Sequence, residues 1–426
     1  MYIFNKKTSN LKLQQNNIFE ADKNKEDAAI ALFDANADGH LDLYIASGGY
    51  HNFAVHDPLL QDRLYLNDGK GNFTKDSDAL PAILESSSTV AVNDFNKDGH
   101  PDIFVGARVI PGRYPETPKN YLLINDGKGQ FSNQIKTIVP DLETIGMVTD
   151  AIWIDINRDQ QKDLVVVGEW MPISIFISKE EQLINQTSDY FKGAYNGWWN
   201  TIAVGDFNKD QQPDLLVGNV GTNTPFQISE AEPGEIYFKD FDQNGSVDPF
   251  FSSYTQGKSY PYVTRDELLG QLSHLRSKYT SYESYADAQL TDIFAKGELK
   301  DAGHLQVQEM ETSLFLSTAN GSYQKATLPI EVQYAPINAT SILDFDKDGV
   351  EDVVLCGNNS HTRLRMGKLD ANYGMLLKGD GQGTFQYINQ AASGLDIRGD
   401  VQAVLAIDNI LYFGINQGDL VAYEIQ

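Results

Sequence analysis

The chain is poor in basic residues, in cysteine and in long apolar runs, and each shortage closes a class of explanation. Lys and Arg number 33 against 59 Asp and Glu, a formal net charge of −26. The overall field therefore repels nucleic acid and anionic lipid. A single cysteine, Cys356, rules out an internal disulfide framework and reads as a small core side chain. No stretch is long and apolar enough for a transmembrane segment, and the opening MYIFNKKTSNLKLQ lacks the apolar core of a leader peptide. Because that opening already reads as strand, the chain is expected to be part of a longer exported protein with an extracytoplasmic location (periplasm, cell surface or secreted). Also missing are GxSxG, HExxH, a Walker loop and a dinucleotide fingerprint, so no familiar catalytic apparatus is in view.

What is present is repetition. One unit, an apolar strand, an acidic nine-residue loop and a second apolar strand ending in Gly, returns from Ile30, Val90, Ala151, Ile202, Ile236 and Thr340. A second unit usually follows it: LYLNDGKGNFT from Leu64, YLLINDGKGQFS from Tyr121, SLFLSTANGSYQ from Ser313 and MLLKGDGQGTFQ from Met375. Strand, Asn/Asp/Gly turn and strand is the short-range signature of a β-hairpin. Two strands and a hairpin make four antiparallel strands per repeat, the pattern of propeller blades. A further copy from Val401 keeps the strand rhythm without the acidic loop, and strands within residues 2–14 are expected to complete it and close the ring. The expected fold is all-β: one seven-bladed β-propeller domain of four-stranded antiparallel blades spanning 1–426.

One segment breaks the rhythm. Across 254–311, Leu268, Leu272, Leu275, Tyr279, Tyr282, Ala286, Leu290 and Ile293 fall at three- and four-residue steps, a helical stripe. Thr264 with Glu267 and Thr280 with Glu283 each fit a capping box. The expectation is a short helical insertion of two helices in blade five, either a lid on the propeller's side or a partner-recruiting element.

The acidic loops carry the chemistry. Oxygen-bearing side chains occupy positions 1, 3, 5 and 9 in every copy: Asp34, Asn36, Asp38, Asp42; Asp94, Asn96, Asp98, Asp102; Asp155, Asn157, Asp159, Asp163; Asp206, Asn208, Asp210, Asp214; Asp240, Asp242, Asn244, Asp248; and Asp344, Asp346, Asp348, Asp352. Position 7, which is His40, His100, Ser246 or Val350 in four of the loops, offers a backbone carbonyl. Alternate residues of a tight loop converge several oxygens on one point, as a hard cation of calcium's size requires. Several structural Ca2+ ions are therefore expected. Gln160 and Gln211 stand at position 6 where a glycine suits a left-handed turn, so those two loops should carry backbone strain. Asn244 stands at position 5, where the other copies have an acid, and should weaken its loop. EF-hands are excluded, because the flanks alternate like strands and position 12 is Ile45, Val105 or Leu355 where a bidentate Glu is needed.

DxDxDGxxD loops between strands, with LYLNDGKGNF hairpins between them, resemble the FG-GAP/VCBS repeats of integrin α-subunit propellers and their bacterial relatives. GARVIPGRYP from Gly106, VGEWMPI from Val167 and GWWN from Gly197 are similar to exported VCBS-repeat proteins of Bacteroidetes. The resemblance covers nearly all of the chain outside the helical segment. It implies calcium-stabilised blades and a cell-envelope location, and it leaves the substrate open.

In a four-stranded blade the acidic loops gather at one end, which leaves the other for recognition. Its loops and the connections between blades carry Arg108, Arg113, Tyr114, Glu169, Trp170, Trp198, Trp199, Asn219, Asn358, His361 and Arg363. Aromatic faces beside Arg, Asn and Glu suit a glycan or protein ligand, so a binding or adhesion module is expected. The alternative is a calcium-dependent, lyase-like enzyme acting on polysaccharide, drafting Arg113, Tyr114 and His361.

Overall fold

The computed structural model describes residues 2–5, 10–13 and 17–425. Two compact units emerge: Met1–Gly112 with Pro118–Glu143, and Arg113–Thr117 with Thr144–Gln426. The chain is all-β, built mainly from four-stranded antiparallel sheets.

In the first unit, sheet 1 runs Glu26–Phe33, Asp42–Gly48, Arg63–Asn67 and Phe73–Asp76, and sheet 2 runs Ser86–Asn93, Asp102–Val109, Tyr121–Asn125 and Phe131–Asn133. Second strands such as Asp42–Gly48 are buried at every position, because they sit inside a sheet covered on both faces. Phe33, Tyr44 and Leu64 of sheet 1 meet Ile103, Val105, Leu123 and Phe131 of sheet 2. Each such side chain contributes roughly 1.5–3 kcal/mol by leaving water. On the other face of sheet 1, Ile18 and Phe19 lie over Leu43, Ile45 and Tyr65.

A polar residue just ahead of the third strand ties each of these sheets together. In sheet 2, Asn120 accepts from the Ala107 amide at 2.9 Å. In sheet 1 the same place is held by Asp62, which accepts from Ser47 N–H and the Tyr44 hydroxyl, both at 2.7 Å, and from Ser87 Oγ at 3.2 Å. Enclosure pushes the Asp62 carboxyl up to about 7 despite these donors.

The second unit continues with sheet 3 (Met147–Ile154, Asp163–Met171, Ser174–Lys179, Gln182–Asn185), joined at its second strand by Gly197–Trp198. Sheet 4 is Thr201–Gly205, Asp214–Gly218, Ser313–Ser317 and Tyr323–Ala326; sheet 5 is Ile337–Leu343, Asp352–Gly357, Met375–Gly379 and Phe385–Ile388. Sheet 6 has three strands, Val401–Ile407, Ile410–Ile415 and Val421–Glu424. Successive sheets pack face to face: Val165 and Val167 against Leu215, Val217 and Phe315; Leu216 and Leu314 against Val353, Leu355 and Leu377; Cys356 and Leu376 against Leu411 and Phe413.

Two sequence expectations need correction. The hairpin from Ser313 pairs with Asp214–Gly218, so it completes the sheet begun at Ile202 and not the one begun at Ile236. Residues 219–312 are thus an excursion inside sheet 4. It carries its own sheet, in the spatial order Lys258–Pro261, Asp248–Thr255, Gly234–Lys239, Gly303–Val307, and the helices lie between Lys258–Pro261 and Gly303–Val307 of that sheet. The physical reason is that Leu314 and Phe315, each fully buried, need an apolar neighbour on both faces, which only the stacked sheets provide. Second, Tyr2–Asn5 and Asn10–Leu13 pair with each other, and among the described residues sheet 6 gains no fourth strand.

The excursion's helices are Arg265–Gln271, Tyr282–Ala286, Leu290–Ile293 and Lys296–Lys300, more and shorter than the stripe predicts. The Thr264–Glu267 capping box forms, whereas the second helix starts one residue later than expected, capped by Ser281 with Ser284. Leu268, Leu272, Leu275, Leu290 and Ile293 pack on Phe250 of the inserted sheet, whose Ile236 and Val307 meet Met147 and Trp170 of sheet 3. Among the described residues no helix is long and apolar enough to cross a membrane.

Candidate metal centres

All six acidic loops share one backbone trace. Position 6 has positive φ in each: Gly39 at 86°, Gly99 at 89°, Gln160 at 68°, Gln211 at 62°, Gly245 at 90° and Gly349 at 77°. The strain expected at the two glutamines is therefore present. Position 4 is also left-handed in every copy, at Ala37, Lys97, Arg158, Lys209, Gln243 and Lys347 (φ 57–64°). Sequence reasoning missed this, because no glycine marks the position.

Two left-handed residues turn backbone N–H groups inward, onto the side chains. Asp34 accepts from Asp38 N at 3.1 Å and Gly39 N at 2.8 Å, and Asp38 accepts from His40 N at 2.9 Å. The Asn at position 3 donates its amide to the acid at position 5, as in Asn96 to Asp98 at 2.9 Å. In the loops at Asp240 and Asp344, three carboxylates bring one oxygen each within 4.8 Å of one another.

Position 9 does double duty. Asp42, Asp102, Asp163, Asp214, Asp248 and Asp352 are all at most 2% exposed. One oxygen accepts from the position-2 amide, as from Phe95 to Asp102 at 3.1 Å. The other accepts from the third strand's end: Asn67, Asn125, Ser178, Ser317 or Gly379, at 2.8–2.9 Å. In the inserted sheet Gln271, from the first helix, replaces that strand on Asp248. Burial pushes the carboxyls of Asp102 and Asp163 up to about 6, and raises those of Asp42, Asp214 and Asp352.

The His40 and His100 rings lie over Gly69 and Gly127, where a Cβ would come within 2.4 Å of them. Their rings thus fill the hairpin turn and leave only their carbonyls to the loop. Neighbouring loops also interlock. Asn125 Nδ2 donates to Ala35 O at 2.9 Å, Gly383 N to Phe207 O at 3.0 Å, and Asp206 N to Glu351 Oε2 at 2.7 Å.

Whether a cation fits is tested by oxygens left over. Asp94 Oδ1 and Asp206 Oδ1, both at position 1, are buried and accept no hydrogen bond. Such an oxygen costs about 1–3 kcal/mol unless something positive meets it. A divalent ion at the loop centre would satisfy it, and would offset the desolvation of the position-9 carboxylate. The donor set is all oxygen, which suits calcium.

The residues expected to meet a ligand are dispersed in their roles. Trp199, Asn219 and Asn358 are at most 2% exposed. Trp199 Nε1 donates to Tyr195 O, Asn219 Nδ2 to Glu309 O, and Asn358 Nδ2 to Asn372 O and Gly399 O. Trp170 donates to the Tyr114 hydroxyl at 2.6 Å and stands edge-on to Trp198 at 5.1 Å, where the inserted sheet docks. Arg113 forms a bidentate pair with Glu116 at 2.5 and 2.6 Å. Glu169 lies half-buried opposite Trp198. Arg108, His361 and Arg363 are exposed. His361 and Arg363 stand on a segment closed by Asn359–Leu369 backbone bonds and anchored by Ser360 on buried Asp400.

A family model described as FG-GAP-like repeat matches residues 34–105 and 155–217. Bovine (Bos taurus) phosphatidylinositol-glycan-specific phospholipase D is 31% identical over 275 residues, 57% of this chain and 32% of that protein. The chain therefore spans about a third of the length of that relative. Among solved structures, the V. cholerae biofilm matrix protein Bap1 aligns over 94% of this chain and 88% of its own at 11% identity and TM-score 0.33. The WD40 β-propeller domain of Doa1 aligns over 93% and 92% at 10% identity and TM-score 0.33. The chain carries FG-GAP-like repeats, each acidic loop set between the first two strands of an antiparallel sheet.

Proposed function

We propose that this chain is the calcium-loaded propeller module of a longer exported protein, holding a glycan or protein ligand outside the cytoplasm. Calcium is structural in this reading. It sits in the nine-residue loops, ties the first two strands of each sheet, and leaves the opposite end of the sheets for recognition. The observation that carries the reading is the unsatisfied Asp94 Oδ1 and Asp206 Oδ1 inside loops already folded around a common centre. The FG-GAP-like repeat match supports the same scaffold. For recognition, the anchored segment bearing His361 and Arg363 presents both side chains to solvent, and the Arg363 guanidinium suits a ligand with carboxylate or other acceptor groups. The test has two arms. Calcium titration calorimetry on chelator-stripped protein should show several bound ions, and a heat trace without binding overturns the metal reading. A glycan array probed in millimolar calcium with wild type and Arg363→Glu should give signals that the variant loses; signals unchanged in the variant would remove this segment from the ligand site.

A further inference from the structure

The loop at Asp344 has aspartate at all four oxygen-bearing side-chain positions, Asp344, Asp346, Asp348 and Asp352, where the other five loops have three acids and an asparagine. By ligand charge alone it should take calcium most readily. A lysine already sits on it. Lys378 Nζ bonds to Asp346 Oδ2 and lies 3.2 Å from Asp348 Oδ2, the oxygens that would turn to an ion.

The position is defined by hydrogen bonds that the sheets share. The residue donating its amide to the position-9 aspartate is Asn67, Asn125, Ser178, Ser317 or Gly379. The residue before it is Leu66, Ile124, Ile177, Leu316 or Lys378. Four are aliphatic, and packing explains why the fifth need not be. Leu316 lies against Gly383 in the last hairpin of sheet 5, so close that a Cβ there would come within 2.4 Å of it. Among the described residues sheet 6 has three strands and no hairpin of a third and fourth strand, and Lys378 keeps 35% of its side chain exposed. A long cationic side chain is tolerated, and it curls onto the nearest negative charge.

We propose that Lys378 is a built-in counter-cation of the Asp344 loop, neutralising Asp346 and Asp348 until calcium displaces it. The loop richest in carboxylate then fills last, over a higher range of calcium than its neighbours. This gives the chain one calcium-responsive loop among structural ones, and it rests on the calcium reading above. The ammonium lowers affinity because the ion must displace it, an effect of up to roughly fivefold for a screened surface pair of this kind.

The test uses Lys378→Met, which keeps the stem, with Lys378→Gln as a second variant, both in the full chain. Crystals equilibrated at limiting calcium are measured for anomalous signal at each loop, and titration calorimetry follows the weakest site. In wild type the Asp344 loop should show lower occupancy than the Asp34 loop. Either variant should raise its occupancy and tighten the weakest site by about threefold or more. Equal occupancy of the two loops in wild type, unmoved by both variants, overturns the proposal while the calcium reading stands. Absence of ions from every loop in all three proteins overturns both.

Discussion

Asp62 offers a sharp quantitative test. Its carboxyl is fully enclosed between sheets 1 and 2 and is pushed up to about 7 by burial, against 3.8 when free. In the unfolded chain it ionises near pH 4; in the folded chain it holds its proton until about pH 7. Between those values the folded state binds more protons than the unfolded state, so the group's contribution to stability falls as pH rises, and the loss is complete above about pH 7. At about 1.4 kcal/mol for each tenfold in proton affinity, the ceiling is roughly 4 kcal/mol. Asp62→Asn removes this cost and keeps the geometry, since Asn120 already performs the same task in sheet 2. The amide oxygen still accepts from Ser47 N–H, and the amide nitrogen can donate to the Tyr44 oxygen. We expect the variant to match wild type near pH 4 and to exceed it by roughly 2–4 kcal/mol at pH 8.5. Tryptophan fluorescence is the wrong probe, because Trp153, Trp170, Trp198 and Trp199 all lie in the second unit. Urea unfolding should be followed by hydrogen exchange at the Ser47 amide and its neighbours in sheet 1. A stability difference that is the same at both pH values, or a variant less stable at pH 8.5, would refute the reasoning.

Three further outcomes are expected. Removing calcium with EDTA should lower the melting temperature, because each loop held at tenfold its dissociation constant contributes about 1.4 kcal/mol to the folded state; an unchanged melt contradicts the metal assignment. Asp102→Ala strands the amides of Phe95 and Asn125, and should cost about 2–5 kcal/mol even in EDTA, measured by denaturant unfolding beside Asp98→Asn, which should matter only when calcium is present. Gln160→Gly and Gln211→Gly relieve left-handed strain at φ 68° and 62°, and each should stabilise by about 0.5–1 kcal/mol in calorimetric melts at fixed calcium.

What was legible in the sequence was whatever is local. The acidic loops and Asn-Asp-Gly hairpins fold by contacts within about ten residues, so their positions, and the strain at Gln160 and Gln211, follow from spacing. The first helix was equally readable, since Thr264 and Glu267 cap within one turn. Strand pairing across a long gap was not. Nothing near Ser313 says that its partner lies at Val217 and not near Asp248; only the double-sided burial of Leu314 and Phe315 decides it. The aromatic residues between sheets misled for a related reason: Trp199 and Trp170 look like ligand platforms in isolation, yet they pack against the chain's own neighbouring segments. Lys378 could have been found, because aligning LYLNDG, LLINDG and LLKGDG leaves one charge in an apolar column.

The excursion of residues 219–312 leaves and rejoins sheet 4 at a single point. Asn219 N–H donates to Thr312 Oγ1 at 3.0 Å and Asn219 Nδ2 to Glu309 O at 2.9 Å, so its two ends are clasped like the neck of a purse. A segment held this way can be lengthened, exchanged or cut out and replaced by a tight turn while the parent strands keep their register. The trade is exposure of the aromatic wall it covers: Met147 and Trp170 would face water, and an excised variant needs polar replacements there to stay in solution.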